Sequence, residues 1–374
     1  MSSSAAPSAE VLKERWSHLR SRLAEKSIDA VVVNSGADLA YLTGHGSRSW
    51  ERLTALVGCV DSETPTLLVP ELERLRVNEV DGAFAVATWS ELQNPVDVLL
   101  EIAGDVNTIA VSDDLWGLHV LSMVRSLPEA LVTSLAETIG GVRTIKTESE
   151  MAALLHVGSL ADQVMGMIQR REISLVGRTE LEIADDIRRN LLSVGHDTVE
   201  FIIVASGPNS ASPHHHPGDR VVQADEMVLF DFGGSCASYN SDTTRCVFTG
   251  AIPSDVQHAY DVLARAQQAA VDAAAVGGRL CDVDEAARSV IRDAGFGDAF
   301  IHRVGHGIGV EVHEQPYVTG ANQQPIEVGH AFSIEPGIYL DGKWGMRLED
   351  IVVIGKSGAA TRCNNADRSL VSVA

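Results

Sequence analysis

Gly305-His306-Gly307-Ile308-Gly309, Val312-His313-Glu314, Ser333-Ile334-Glu335-Pro336-Gly337 and Arg347-Leu348-Glu349-Asp350 follow one another within residues 305–350. Imidazoles and acids recur here on segments that otherwise read as buried. Taking an ionised carboxylate out of water uncompensated costs several kcal/mol, roughly, so buried acids normally sit on a cation or pair with one. Upstream, Asp231 follows the apolar run Val228-Leu229-Phe230, and Asp242 lies eleven positions on in Ser241-Asp242-Thr243-Thr244-Arg245. A hairpin joins those two carboxylates, and two adjoining acids do not both stay ionised without a cation. The plainer alternative is that Asp231 caps a turn and Asp242 pairs with Arg245. Arg347 has a similar alternative in Glu349 or Asp350, which accounts for one acid and leaves the others unexplained.

Three familiar motifs fail against this chain. Glycines 305, 307 and 309 give GxGxG without the strand and helix of a dinucleotide fold. His313-Glu314-Gln315-Pro316-Tyr317 begins like a zinc-protease HExxH, but Tyr317 replaces the second histidine and Pro316 breaks a helix. Gly233-Gly234-Ser235-Cys236-Ala237 lacks the last glycine of a serine-hydrolase elbow. The glycines around His306 instead allow close backbone approach and unusual backbone conformations.

The chain of 374 residues is long enough for two domains. Residues 10–26 read as an amphipathic helix, followed by a short, largely apolar strand at 28–33. Strands at 55–60, 66–69, 84–89 and 108–111 alternate with helices at 71–80, 95–102 and 115–127, an α/β domain with a mixed sheet. His45, Trp50, Glu51 and Arg52 fall in a loop after Tyr41-Leu42-Thr43-Gly44. Past residues 140–147, helices at 148–169, 253–276 and 283–294 and a helix opened by the capping box of Thr179 and Glu182 accompany strands at 198–205, 227–231, 243–248 and from Ala331 onward. Segregated strands and helices make this part α+β. A formal charge of −22 disfavours nucleic acid and anionic membranes as partners. There is no run of about 18 apolar residues. The opening residues lack the order of a secretion signal and the five cysteines contain no CxxC, which points to a reducing cytoplasm.

Four carboxylates and one histidine form a hard donor set that suits Mn²⁺, with Co²⁺ or Zn²⁺ as alternatives. A pair of such ions activates water and clamps a reacting carbonyl. With Ser206-Gly207-Pro208-Asn209-Ser210 and Pro213-His214, the ordered Asp, Asp, His, Glu, Glu resembles the pita-bread metallopeptidases, the family of methionine aminopeptidase, aminopeptidase P and prolidase. The resemblance spans nearly the whole chain. Residues 1–140 look like a creatinase/prolidase-type N-terminal domain and 147–374 like the catalytic domain, closest to short bacterial Xaa-Pro dipeptidases.

That resemblance implies two divalent ions bound by Asp231, Asp242, His306, Glu335 and Glu349, with Asp242 and Glu349 bridging and Glu335 also the general base. It implies that His214 and His313 hold the substrate carbonyl, and that Arg347 orients Asp242 or contacts substrate. A homodimer and a small peptide substrate are family expectations. Prolidases restricted to dipeptides often carry a carboxylate-gripping arginine shortly after the second histidine, and here Tyr317 stands in that region. Arg48 or Arg52, from this subunit or its mate, is the expected substitute; otherwise longer peptides are accepted, as by aminopeptidase P. Metal-free creatinase-like C–N hydrolases and binding-only descendants share the domains but not the five ligands. Of His214-His215-His216, the first aligns with the motif and the others read as loop or rim residues.

Overall fold

The computed structural model describes residues 7–46 and 51–373. The chain divides between Arg143 and Thr144 into two compact units. Arg48, an expected alternative for gripping the substrate carboxylate, and Trp50, in the loop after Gly44, lie outside the described residues.

The first unit contains α1 (Ala9–Glu25), β1 (Ala30–Asn34), α2 (Ala37–Thr43), β2 (Ala55–Cys59), β3 (Thr66–Pro70), β4 (Ala85–Trp89), α3 (Pro95–Ala103), β5 (Thr108–Val111), α4 (Gly117–Ser126), β6 (Leu131–Ser134) and α5 (Leu135–Ile139). Its sheet runs β4-β3-β2-β1-β5-β6. The β1–β2 and β2–β3 pairs are antiparallel and the others parallel, so the sheet is mixed as expected. β1 is buried along its whole length, which is why it reads as an unbroken apolar run. Residues 71–80 differ from the expected helix. Only a short 3₁₀ turn, Glu71–Arg76, forms there, and it buries none of its side chains. α2 was hidden in the sequence because its N-cap is Gly36, which offers no capping side chain.

The second unit contains α6 (Glu148–Gln169), α7 (Glu180–Val194), β7 (Thr198–Ser206), β8 (Met227–Cys236), β9 (Tyr239–Asn240), β10 (Thr243–Phe248), α8 (Ser254–Ala273), α9 (Leu280–Ile291), β11 (Gly305–Gly307), β12 (Glu314–Val318), β13 (Ala331–Ile334), β14 (Gly337–Leu340), β15 (Trp344–Arg347), β16 (Asp350–Ile354), β17 (Ala360–Arg362) and β18 (Val371–Ser372). Capping boxes open α6 at Thr147 and α7 at Thr179. By length and composition α6 could cross a membrane. Here Val157, Leu160, Val164 and Ile168 are buried in the unit, and its Asp162 accepts hydrogen bonds from the Asn365 and Ala366 amides.

Two sheets, β18-β10-β8-β7 and β12-β11-β13-β16-β17, and the β14–β15 hairpin make the β part. The apolar faces of α8 and α9 share one core with residues of both sheets, including Leu229, Phe332 and Val352. A bridge between Thr244 and Glu349 joins the sheets, and polar residues of both converge beside it.

Candidate metal centre

Asp231 sits midway along β8, which continues to Cys236 where the sequence suggested an end at 231. The continuation depends on Gly233: a Cβ there would stand 2.1 Å from the Ser241 carbonyl oxygen, so a larger residue would push the returning chain away. In the antiparallel β8–β10 pair Asp231 faces Thr244, and Asp242 precedes β10. The hairpin thus brings the two acids to one place. Asn240 ties this turn to the strand carrying His306, its side-chain amide donating to the carbonyls of Gly309 (3.1 Å) and Val310 (2.9 Å).

His306 is the centre of β11. Cβ atoms at Gly305 and Gly307 would stand 1.9 Å from the Ser333 carbonyl oxygen and 2.2 Å from that of Gln315. Close approach to β13 and β12 therefore explains both glycines; neither has a positive φ. The His306 amide donates to Ser333 Oγ (2.9 Å), whose hydroxyl donates to Glu335 Oε1 (3.0 Å). Ile334 faces Asp350 in the β13–β16 register, so Glu335 and Glu349 emerge at the same end of that pair.

These side chains line one cavity of about 750 Å³, together with His214, His302, Arg303, His313 and Arg347. Ligand atoms of Asp242, His306 and Glu349 all lie within 4.8 Å of one another. His306 Nε2 is 3.3 Å from Glu335 Oε1 and 3.6 Å from Asp242 Oδ2. Its Nδ1 lies 3.0 Å from the Gly307 carbonyl, which only accepts; the ring proton belongs there and the Nε2 lone pair faces the acids. Burial above all, reinforced by His313, lowers the His306 pKa to about 3, so the ring stays neutral.

Negative charge accumulates around that lone pair. Burial, then Glu349, Asp231 and Glu335, raises the Asp242 pKa well above the carboxylate range. Burial, then Glu335 and Asp231, does the same to Glu349. Burial also lifts Glu335 to about 7. Among the described residues, the buried oxygens Asp231 Oδ1, Asp242 Oδ1 and Glu349 Oε1 have no hydrogen-bond partner. Unpartnered carboxylate oxygens and an imidazole lone pair converging on one space fit a divalent cation, whose charge would offset their burial.

Arg347 lines the cavity beside the acids, but its ionic partner is not one of those expected. Its Nη2 pairs with Asp231 Oδ2, not with Asp242, Glu349 or Asp350. Its Nε donates to Thr244 Oγ1 (3.1 Å) and Nη1 to Tyr339 Oη (2.8 Å) and the Pro213 carbonyl (3.3 Å). Thr244 Oγ1 in turn donates to Glu349 Oε2 (2.6 Å). One buried guanidinium thereby positions two acids and the loop that carries His214. Asp242 has no pairing with Arg245, which is bound to Asp350 instead (2.6 Å).

The His313 ring lies 4.0 Å from that of His306. Glu314 faces away and forms a buried pair with Lys146 (2.6 Å) on a strand, so the HExxH reading fails structurally as well. His214 lines the cavity from an exposed position, whereas His215 Nε2 reaches Glu180 Oε2 (2.7 Å). Glu180 Oε1 also accepts from Ser206 Oγ (2.7 Å) and the Asn209 amide (3.0 Å), so this α7 acid anchors the whole loop. Sequence reading saw Glu180 only as the start of a helix. It also passed over Tyr339, His302 and Arg303, which no local pattern marks. Arg52 lies in the first unit, where Glu51 (2.5 Å) and Glu91 (2.7 Å) bind it.

Residues 152–356 match the metallopeptidase family M24, and residues 15–145 match the creatinase/prolidase N-terminal domain. A probable dipeptidase PepE of Mycobacterium tuberculosis is 37% identical over 98% of this chain and 97% of its own. A Lactobacillus delbrueckii Xaa-Pro dipeptidase is 34% identical over 91% and 94%. The crystal structure of the dipeptidase PepE from Mycobacterium ulcerans superposes with a TM-score of 0.92 at 37% identity, covering 98% of each chain. The chain therefore belongs to metallopeptidase family M24, and is a metal-dependent hydrolase whose pita-bread catalytic domain follows a creatinase/prolidase N-terminal domain.

Proposed function

We propose that the protein hydrolyses the peptide bond before proline in Xaa-Pro dipeptides, using two divalent ions, most suitably Mn²⁺, held by Asp231, Asp242, His306, Glu335 and Glu349. The observation that carries this reading is the set of buried, unpartnered oxygens on Asp231, Asp242 and Glu349 around a cavity large enough for a dipeptide. The similarity to an Xaa-Pro dipeptidase supports the choice of substrate.

When bound, the ions supply Lewis acidity for the scissile carbonyl and a nucleophile at neutral pH. The protein's own groups do the rest. Glu335 is the part-exposed acid of the cluster, its side chain 15% accessible, and so is the member suited to accept a proton at Oε1 and pass it on. Burial, followed by the Arg303 charge, lowers the His313 pKa and keeps that ring neutral, able to donate one hydrogen bond to a carbonyl oxygen that gains charge. His214 contributes from the facing loop, whose position Arg347 and Glu180 fix. The catalytic domain is assigned to residues 147–374, and a cytoplasmic homodimer is the proposed setting.

Steady-state hydrolysis of an Xaa-Pro dipeptide and the matching Xaa-Pro tripeptide, each with added Mn²⁺ and after chelation, tests this. Dipeptide preference abolished by chelation is expected. A tripeptide preference replaces it with the aminopeptidase P reading, and activity indifferent to chelation overturns the metal site.

A further inference from the structure

The cavity is walled by acids, yet a dipeptide brings a carboxylate of its own on the proline. Of the two arginines lining it, Arg347 is saturated by Asp231, Thr244, Tyr339 and the Pro213 carbonyl. Arg303 differs. Among the described residues its guanidinium makes no hydrogen bond or ion pair, and its central carbon lies 4.3 Å over the Tyr317 ring. A ring face holds a cation in position without using its N–H donors, so the planar fork remains available for a bidentate partner. Arg303 is partly buried, three residues before His306, and its charge is felt by His313, His306 and Glu335. A cation left unpaired this close to several carboxylates fits a guest anion better than a structural tie.

We infer that Arg303, stacked on Tyr317, binds the free C-terminal carboxylate of the substrate and thereby sets a preference for dipeptides. The assignment rests on the Xaa-Pro reading above. It also removes the need for Arg48 or Arg52 in that role, because the second unit supplies the cation itself. Tyr317 acts as the platform that keeps the guanidinium aimed into the cavity.

The test compares wild type, Arg303→Met and Arg303→Lys on three substrates with Mn²⁺: Leu-Pro, Leu-prolinamide, which lacks the carboxylate, and Glu-Pro. Loss of a charge-assisted hydrogen-bond pair should lower kcat/KM for Leu-Pro about tenfold to a hundredfold in Arg303→Met, chiefly through KM. Hydrolysis of Leu-prolinamide should fall far less than that of Leu-Pro, any shared loss reflecting the Arg303 charge beside His313, and Arg303→Lys should recover part of the dipeptide activity. Equal losses on Leu-Pro and Leu-prolinamide overturn the assignment, as does no loss on Leu-Pro. A loss confined to Glu-Pro also overturns it, by placing the cation against the first side chain. Wild-type protein inert toward all three overturns the Xaa-Pro reading itself, a result distinct from active wild type with an indiscriminate Arg303→Met. Melting curves of both variants confirm folding.

Discussion

Glu349 and Asp350 are neighbours in the chain and are buried to the same degree, 1% and 0% exposed. Their environments are opposite. Asp350 is satisfied on both oxygens, by Arg245 (2.6 Å), Arg362 (2.9 Å) and the Gln267 amide (3.0 Å). Glu349 has one hydroxyl partner, leaves Oε1 bare, and adds its charge to those of Asp231 and Glu335. The strand period of two sends them to opposite faces, one into a neutralised structural network and the other into a cavity short of positive charge. Burial of an acid is thus not the mark of the site; a deficit of partners is.

Substitutions that remove one acid from each side should separate the two environments most sharply. Asp242→Asn takes away a cluster charge, and losing several kcal/mol of charge stabilisation in the transition state corresponds to about a thousandfold lower kcat. In metal-stripped protein the same change should raise the melting temperature by relieving repulsion. Asp350→Asn should do the reverse, costing about 3–5 kcal/mol of stability because Arg245 is left buried and unpaired. Denaturant unfolding of both chelated variants checks the opposite signs; a shift in the same direction would erase the difference between the two environments.

The pH dependence sharpens it further. Burial raises the Glu335 pKa from the ordinary 4.5 to about 7, so the folded state binds its proton more tightly than the unfolded state does. Metal-stripped protein should therefore lose stability as pH rises from about 4.5 to about 7, by about 3 kcal/mol at most from this group. Saturating Mn²⁺ should flatten that slope, measured as melting temperature across the same window. Finally, Arg347→Met leaves every expected ligand in place but loosens Asp231 and Thr244, and about a tenfold to hundredfold loss of metal affinity is expected by calorimetric titration.

The acids, the imidazoles and their order were legible because each interrupts an apolar or glycine-rich run, which is a local signal. Strands of the first sheet were legible because the apolar runs at 30–33 and 67–69 stand out locally. α2 was not, because Gly36 gives no capping signature, and the 71–80 helix was overread because Leu72 and Leu75 supply apolar residues that stay exposed. Arg347 was seen but given the wrong partner, since sequence proximity suggested Glu349 or Asp350 and the resemblance suggested Asp242. The distance along the chain from Arg347 to Asp231 hides their contact.

By itself the sequence determined the two-domain class and which acids and imidazoles interrupt its apolar runs, a set whose chemistry suits divalent metal, because residue chemistry and periodicity are written position by position. Tertiary structure alone decided which acids lack partners among the described residues, that Glu180 and His215 hold the His214 loop, and that Arg303, without an ion pair among those residues, rests on Tyr317 and lines the same cavity as the acids. Those facts depend on which charges meet across strands far apart in the chain, and no local pattern encodes a missing neighbour.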